Sequence, residues 1–276
     1  MGLAQLPMPL KPFDFPLIKA MATGNDFLLV DLLDPALAVI WKKEFSHAKR
    51  PDLVKTWCDR YTGLGADGVV ILEPDPSTDF VWDFYNSDGS TADMCGNAAR
   101  AVSLYVSEKT GRNKLKFTTR IGVINVRVQS PNDIEVELPE IKEEDWGSEF
   151  DYIRAGVPHV VIKCDSLDNI AQLTVQALAI KKMVRFLKDG TNVTFLKIIS
   201  PHHIQTKTFE RGVEGFTRSC GTGAIAAAHS ILRGKENQTL QVDVPGGRLS
   251  VVWKEGKPTL RGPARIIGEM RWMRDT

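Results

Sequence analysis

The sequence predicts an α+β protein of two similar halves, each organised around one central helix. Three observations carry this prediction. The chain has 276 residues, more than one average domain and fewer than three. Phe84-Tyr85-Asn86 precedes Cys95-Gly96-Asn97-Ala98-Ala99 by the interval that separates Phe209-Glu210-Arg211 from Cys220-Gly221-Thr222-Gly223-Ala224. Twenty-seven residues beyond each cysteine stands a glycine, Gly122 and Gly247, and each opens an alternating pattern, VINVRV and RLSVVW. Gly24-Asn25-Asp26-Phe27 has a weaker counterpart in Gly156-Val157-Pro158-His159. Chance explains one repeated Cys-Gly; several matched offsets mark two halves built alike.

In chain order, residues 1–16 read as a loose lead-in, because Pro7, Pro9, Pro12 and Pro16 oppose regular structure. Ile18 to Leu32 reads as a strand, a Gly-Asn turn and a second strand. Pro51 to Tyr61 has helical spacing, with Pro51 suited to a first helical turn and Leu53, Val54 and Trp57 on one face. Val69–Leu72 and Phe80–Tyr85 are short apolar runs between Pro and Asp, hence strands. Ala98 to Ser107 is a helix of small and apolar residues that Gly111 stops. Alternation returns in KLKFTTRIGVINVRV and in IEVEL, and residues 139–150 form an acidic, aperiodic junction. Strands follow near 159–163 and 193–199, a helix over 168–187, a helix from Gly221, and strands at 240–244 and 248–253.

Composition removes several functions. Of the residues, 43% are hydrophobic and 25% charged, enough for a folded core. Lys plus Arg number 35 against 34 Asp plus Glu, so no basic excess points to nucleic acid. Cys58, Cys95, Cys164 and Cys220 form neither a disulfide framework nor a Cys-x-x-Cys metal pair, so no metal site is expected. The apolar stretch Phe27 to Trp41 is broken by Asp31, Asp34 and Pro35, well short of the ~20 residues a membrane span needs. The N-terminus lacks the apolar core of a signal peptide, and Leu6 stands where a myristoylation motif wants Ser or Thr. A cytoplasmic protein with reduced thiols and no membrane partner is the expectation.

Gly63-Leu64-Gly65-Ala66-Asp67-Gly68 matches the dinucleotide fingerprint G-x-G-x-x-G, but a helix precedes it and the strand VVIL follows. The fingerprint works only in the opposite order, so a helix-to-strand turn is the better reading. Cys95 and Cys220 differ from an ordinary buried cysteine because each sits just before a glycine that starts a helix. A helix N-terminus offers unpaired N–H groups and a positive dipole end, which favour a thiolate, lower its pKa and hold carboxylates. Two such ends facing across a cleft would remove a proton from one face of a carbon and return one to the other. Cys58, in the helical WCDRY, and Cys164, at the end of an apolar strand, read as structural. Glu210-Arg211 can grip a charged substrate, Arg taking a carboxylate and Glu an ammonium, although alone such a pair is more often a surface salt bridge. Asn25, Asn86, Asn97 and Asn192 are each ambiguous, since Asn is a common turn residue.

With these residues the sequence resembles the diaminopimelate epimerase family of cofactor-independent, two-cysteine racemases. The matching boxes are MATGNDFLLVD, GLGADGVVILEP, FYNSDGSTADMCGNAARAV, TNVTFLKIIS, TFERGVEGFTRSCGTGAIAAA and DVPGGRLSVVW, running from about residue 18 to 253. Cys95-Gly96-Asn97 separates it from proline racemases, whose box typically reads Cys-Gly-His. The resemblance implies two halves, each a curved mixed or antiparallel sheet around a central helix. The first half would be 1–137 with the first cysteine, completed by about 263–276; the second would be 138–262 with the other cysteine.

It also implies an isomerase interconverting LL- and meso-2,6-diaminopimelate, in lysine and cell-wall precursor synthesis. Cys95 and Cys220 would exchange the roles of base and acid. The reacting carboxylate would rest on backbone N–H groups of Gly96, Asn97, Gly221 and Thr222. Asn86, Asn192, Glu210 and Arg211 would hold the distal amino-acid group, with Asn25 lining the site. His159 and Glu210 would help set the cysteines' protonation. No cofactor, pyridoxal phosphate included, is expected, and a homodimer is. Gly68 and Val157 stand where many members carry Gln and Asn, which leaves room for a racemase of another amino acid such as histidine or lysine. A catalytically silent amino-acid-binding homologue is the third reading, and retention of both cysteine boxes opposes it.

Overall fold

The first half begins as a hairpin, β1 (Asp14–Ala22) and β2 (Asn25–Asp31), turned by Thr23 and Gly24, both at positive φ. This is a computed structural model, describing residues 14–45, 49–138, 140–141 and 143–273. Helices α1 (Pro35–Glu44) and α2 (Arg50–Cys58) follow, then β3 (Gly68–Glu73), β4 (Phe80–Asn86), helix α3 (Gly96–Thr110), β5 (Lys114–Thr119), β6 (Gly122–Ser130) and β7 (Asp133–Glu137). The second half runs β8 (Glu144–Trp146), β9 (Asp151–Ala155), β10 (Val157–Lys163), helix α4 (Ile170–Lys181), β11 (Asn192–Ser200), β12 (His203–Glu210), the short β13 (Gly215–Phe216), helix α5 (Gly221–Leu232), β14 (Thr239–Val244), β15 (Gly247–Lys254) and β16 (Lys257–Gly262). The last strand is β17 (Arg265–Met273).

The pairing repeats. Strand β2 lies antiparallel to β1 and parallel to β3, and β10 stands in the same relation to β9 and β11. The pairs β3–β4 and β11–β12 are antiparallel, whereas β4–β5 and β12–β14 are parallel. Antiparallel β5–β6–β7 matches β14–β15–β16, and the duplicated glycines Gly122 and Gly247 open β6 and β15. Two pairings tie the sheet together: β7 with β16, and β17 with β1.

Each half wraps its sheet around one helix, α3 in the first and α5 in the second. Both helices are rich in Ala and Gly, so strands approach closely from several sides. Ala98, Ala99, Ala101, Ala224, Ala226, Ala227 and Ala228 are fully buried and join one core with strand residues of both halves. Gly111, in the left-handed region at φ 71°, ends α3 as expected. Two smaller cores lie outside this one. Phe15, Trp41, Phe45 and Trp57 cluster beneath α1 and α2, and Leu173, Ala177, Phe195 and Phe209 cluster beneath α4.

The differences from the sequence reading have local causes. Residues 1–13 of the expected lead-in lie outside the described residues, but Pro16 sits inside β1. There it pairs only with Arg271 of β17, because β1–β2 pairing starts at Ile18, so its missing N–H leaves no bond unmade. Helix α1 has a start signal of its own: the Asp34 carboxylate accepts from the Ala36 N–H (2.8 Å) and Pro35 opens the first turn. The helix expected over 168–187 stops at Lys181 and continues as a 3₁₀ turn over Val184–Phe186. The acidic junction carries the short strand β8. The hairpin turn is Thr23-Gly24 rather than Gly24-Asn25, since Asn25 already pairs with Ala22.

Candidate active site

Cys95 is the N-cap of α3 and Cys220 the N-cap of α5, both extended and both partly exposed. The two helix N-termini meet. A Cβ on Gly221 would stand 3.6 Å from Gly96 Cα, and Leu260 Cδ2 would lie 2.9 Å from a Cβ on Gly96 and 3.1 Å from one on Gly221. A side chain at either position would press on Leu260, and glycine at both lets the two helix starts and this leucine pack without displacement. Cys220 Sγ accepts from the Gly223 N–H and lies beside Thr222 Oγ1, each at 3.4 Å. Cys95 is favoured as a thiolate by the Asn97 and Ala98 N–H groups.

The expected depression of the thiol pKa values does not survive burial. Desolvation pushes Cys95 up, and the helix N–H groups only partly offset it. Cys220 is pushed well above the ordinary value by desolvation, then by the Glu210 carboxylate, with Cys95 adding to the rise. The action of Cys95 on Cys220, and of Glu210 on both, places the two thiols in one electrostatic environment. At both sulfurs the net direction favours the thiol, more strongly at Cys220 than at Cys95.

A chain of hydrogen bonds runs behind Cys220. His159 is wholly buried, and its Nε2 lies 2.9 Å from Thr222 Oγ1, itself 3.4 Å from Cys220 Sγ. On the other side Nδ1 meets Thr194 Oγ1 at 3.0 Å, and Thr194 Oγ1 meets Thr208 Oγ1 at 3.1 Å. Desolvation, aided by Arg211, lowers the His159 pKa to about 3, so the ring is a neutral relay rather than a cation. Glu210, at the end of β12, accepts from Thr217 Oγ1 and bonds to Cys220; burial raises its pKa.

Asn192 is buried, and its amide is already occupied. Oδ1 accepts from the Arg211 N–H (2.8 Å), and Nδ2 donates to the Pro158 carbonyl (3.2 Å). It thereby fixes the backbone from which Arg211 projects. The exposed Arg211 guanidinium bonds to the Asp189 carbonyl and makes no ion pair among the described residues. Asn25 Oδ1 accepts from Asn97 Nδ2 (2.5 Å), and Asn25 Nδ2 donates to Asp67 Oδ2 (3.0 Å). The Asn97 side chain is thus spent on structure, leaving its backbone N–H at the helix start. Asn86 is exposed and donates to Ser90 Oγ (3.0 Å), with no hydrogen bond to either cysteine among the described residues.

Gly68 has no space for a larger residue, because a Cβ would lie 2.6 Å from the Tyr85 carbonyl and 2.9 Å from Phe84 Cε2. The glycine fingerprint around it is the turn between α2 and β3. Cys58 is buried with its pKa raised to about 12 by desolvation, and Cys164 Sγ contacts the Leu196 carbonyl at 3.6 Å. Neither stands beside the helix N-termini. Among the described residues no group of three or more His, Cys, Asp or Glu is placed to hold a metal. An open groove of about 580 Å³ lies elsewhere, between β1, β17 and the end of α3, and contains none of these residues.

Sequence reasoning missed a layer behind the cysteines. Thr23 Oγ1 lies 2.9 Å from Ser219 Oγ and 3.1 Å from Asn97 Oδ1, joining the first hairpin to both cysteine boxes. Arg100 completes it, donating to Asn97 Oδ1 (2.6 Å) and Thr23 Oγ1 (2.8 Å). One signal was readable: Arg100 is the lone charge in the otherwise small and apolar run GNAARAVSLYV.

Comparison with known proteins places the chain in a family and a fold. The family model described as "Diaminopimelate epimerase" matches residues 17–142 and 152–267. The diaminopimelate epimerase of Aquifex aeolicus is 36% identical over 76% of this chain and 78% of its own. That of Campylobacter jejuni subsp. doylei is 36% identical over 92% and 97%. Among solved structures, a probable proline racemase from Agrobacterium radiobacter K84 with bound carbonate superposes with a TM-score of 0.68 at 16% identity, covering 94% of this chain and 93% of that one. A predicted epimerase from Pseudomonas aeruginosa gives 0.68 at 9% identity, covering 94% and 99%. These two show the fold alone; the matched sequence shows that the chain belongs to the diaminopimelate epimerase family.

Proposed function

We propose that the protein interconverts LL- and meso-2,6-diaminopimelate by two-thiol acid–base chemistry. The observation that carries the reading is the meeting of two cysteine-capped helix N-termini across Gly96 and Gly221. The thiolate on one face takes the Cα proton and becomes a thiol. The thiol on the opposite face gives its proton to Cα and becomes the thiolate, so configuration inverts. Negative charge developing on the reacting carboxylate falls on the N–H groups of Gly96, Asn97, Gly221 and Thr222, already aimed at it by two helix starts. No cofactor enters this scheme.

His159, neutral and linked through Thr222, together with Glu210, sets the protonation of Cys220. Arg211, fixed by Asn192, takes the distal carboxylate, and Glu210 with Asn25 lines the remainder. Asn86 is placed with them by the resemblance alone. The reading extends to a cytoplasmic enzyme of lysine and cell-wall precursor synthesis. It divides the chain at 137/138, with residues 263–276 returning to the first half, which the β17–β1 pairing supports. A homodimer completes it, and the exposed apolar side chains Ile267 and Met273 on β17 support that.

The test is a substrate panel without added cofactor: LL-diaminopimelate, lysine, histidine and proline, with products resolved by chiral chromatography. Meso-diaminopimelate from LL-diaminopimelate alone is the expected result. Turnover of lysine or histidine in preference establishes the other-racemase reading, and no turnover of any substrate establishes a silent binder. Arg211→Ala should cost diaminopimelate roughly 2–5 kcal/mol of transition-state binding, through the unpaired distal carboxylate.

A further inference from the structure

Arg100, in the second turn of α3, is wholly buried. Besides Asn97 and Thr23, it donates through Nη1 to the Gly96 carbonyl (3.1 Å) and through Nε to the Pro263 carbonyl (3.3 Å). Every acceptor is neutral, and among the described residues no carboxylate pairs with it. Burying a cation without an anion is costly, and its hydrogen bonds return only part of that cost. Burial draws the guanidinium's own pKa down to about 10, and a Cys95 thiolate is the one charge that acts to restore it.

The packing holds this charge in place. A Cβ on Gly262 would lie 3.3 Å from Nε and 3.5 Å from Cζ, so glycine there lets the backbone close on the guanidinium. The titratable groups that act on Cys95 and Cys220 are few. Glu210 raises both, Cys95 adds to the rise at Cys220, and Arg100 alone among charged side chains lowers Cys95. His159 reaches Cys220 only through Thr222 and is neutral, and Asp67 acts on Glu210. The cation sits beneath Cys95 with its counter-charge missing.

We propose that Arg100 is a positioning residue of the reaction: a fixed positive charge beneath the N-terminus of α3 that receives the negative charge of the Cys95 thiolate and of the reacting carboxylate. It adds a full charge to the partial charge of the helix end, at a depth where water does not screen it. Its carriage by α3 alone makes the two halves unequal, since Ile225 holds the matching place in α5. Cys95 is then the cysteine whose thiolate is stabilised when the site is empty of substrate. The proposal rests on the two-thiol reading, but its test uses no substrate.

The experiment is the pH dependence of alkylation by iodoacetamide, resolved by peptide mapping at Cys95 and Cys220, in wild type, Arg100→Met and Thr23→Val. Arg100→Met keeps an apolar stem and removes the charge. It should raise the Cys95 midpoint by a unit or more, slowing alkylation at pH 7 about tenfold, with a smaller change at Cys220. Thr23→Val removes an acceptor and the link to Ser219 but leaves the charge, and should keep the Cys95 midpoint. An unmoved midpoint in folded Arg100→Met, or an equal shift in Thr23→Val, overturns the proposal in favour of a purely architectural arginine. Where Arg100→Met fails to fold by circular dichroism, Arg100→Lys decides: it should keep the midpoint, and a shift of a unit overturns the proposal. A protein inactive on diaminopimelate whose Cys95 midpoint still depends on Arg100 sinks the activity and not the role of the arginine.

Discussion

A neutral imidazole at position 159 has a measurable consequence in acid. With the folded pKa near 3 and the unfolded value near 6.5, the unfolded chain binds a proton that the folded chain refuses. The corresponding stability is fully present above about pH 6.5 and is lost as pH falls toward 3. Between pH 6.5 and 5, before most carboxylates titrate, the loss from this residue is about 2 kcal/mol. Urea midpoints across that window should fall steeply in wild type and less in His159→Gln; equal slopes would contradict a buried neutral ring. Cys95 and Cys220 were legible at this scale because duplication marked them. Their net pKa direction was not, because burial is set by the strands that close around both helix starts. Thr194, Thr208 and Ser219 were also invisible, since lone hydroxyls in a sequence do not say which neighbour they will bond.

At the scale of elements, α3 and α5 were readable from Cys-Gly followed by Ala, and β5, β6, β14 and β15 from strict alternation. Strand β17 escaped because adjacent Ile266-Ile267 and Gly268 blur its period, and α1 because its apolar run ALAVIW has no polar residues to mark a helical period. The reason for Gly223 inside α5, where α3 has Ala98, also became visible only in the fold. A Cβ there would lie 2.5 Å from Thr208 Oγ1 and 3.0 Å from Thr194 Oγ1, the pair behind His159. Gly223→Ala should therefore cost about 1–3 kcal/mol of stability by overpacking, and reduce kcat as the relay is pushed aside. A double-mutant cycle checks it: the cost should shrink in a Thr208→Ala background, and an unchanged cost would place the strain elsewhere.

For the whole molecule, the duplication explains the architecture, because each half supplies one helix start and neither alone supplies two faces for one carbon. Alternation in IEVEL marked β7, and the family resemblance returned residues 263–276 to the first half, but the partners β16 and β1 were not legible, since pairing between distant strands is decided by the closed sheet. Strand β17 pairs only with β1 among the described residues, and its exposed face carries Ile267 (54% exposed) and Met273 (65%). Light scattering should give twice the monomer mass for wild type and the monomer mass for Ile267→Asp/Met273→Asp; a wild-type monomer would contradict the homodimer. The most direct test of the central claim is the fate of hydrogen at Cα in deuterated water at low conversion. Two facing thiols predict that newly formed meso-diaminopimelate carries one solvent deuterium at the inverted carbon while recovered LL-diaminopimelate keeps its protium, and that Cys95→Ala and Cys220→Ala each abolish the product. Product that retains the substrate's own hydrogen, or a single-cysteine variant that epimerises at the wild-type rate, would contradict it.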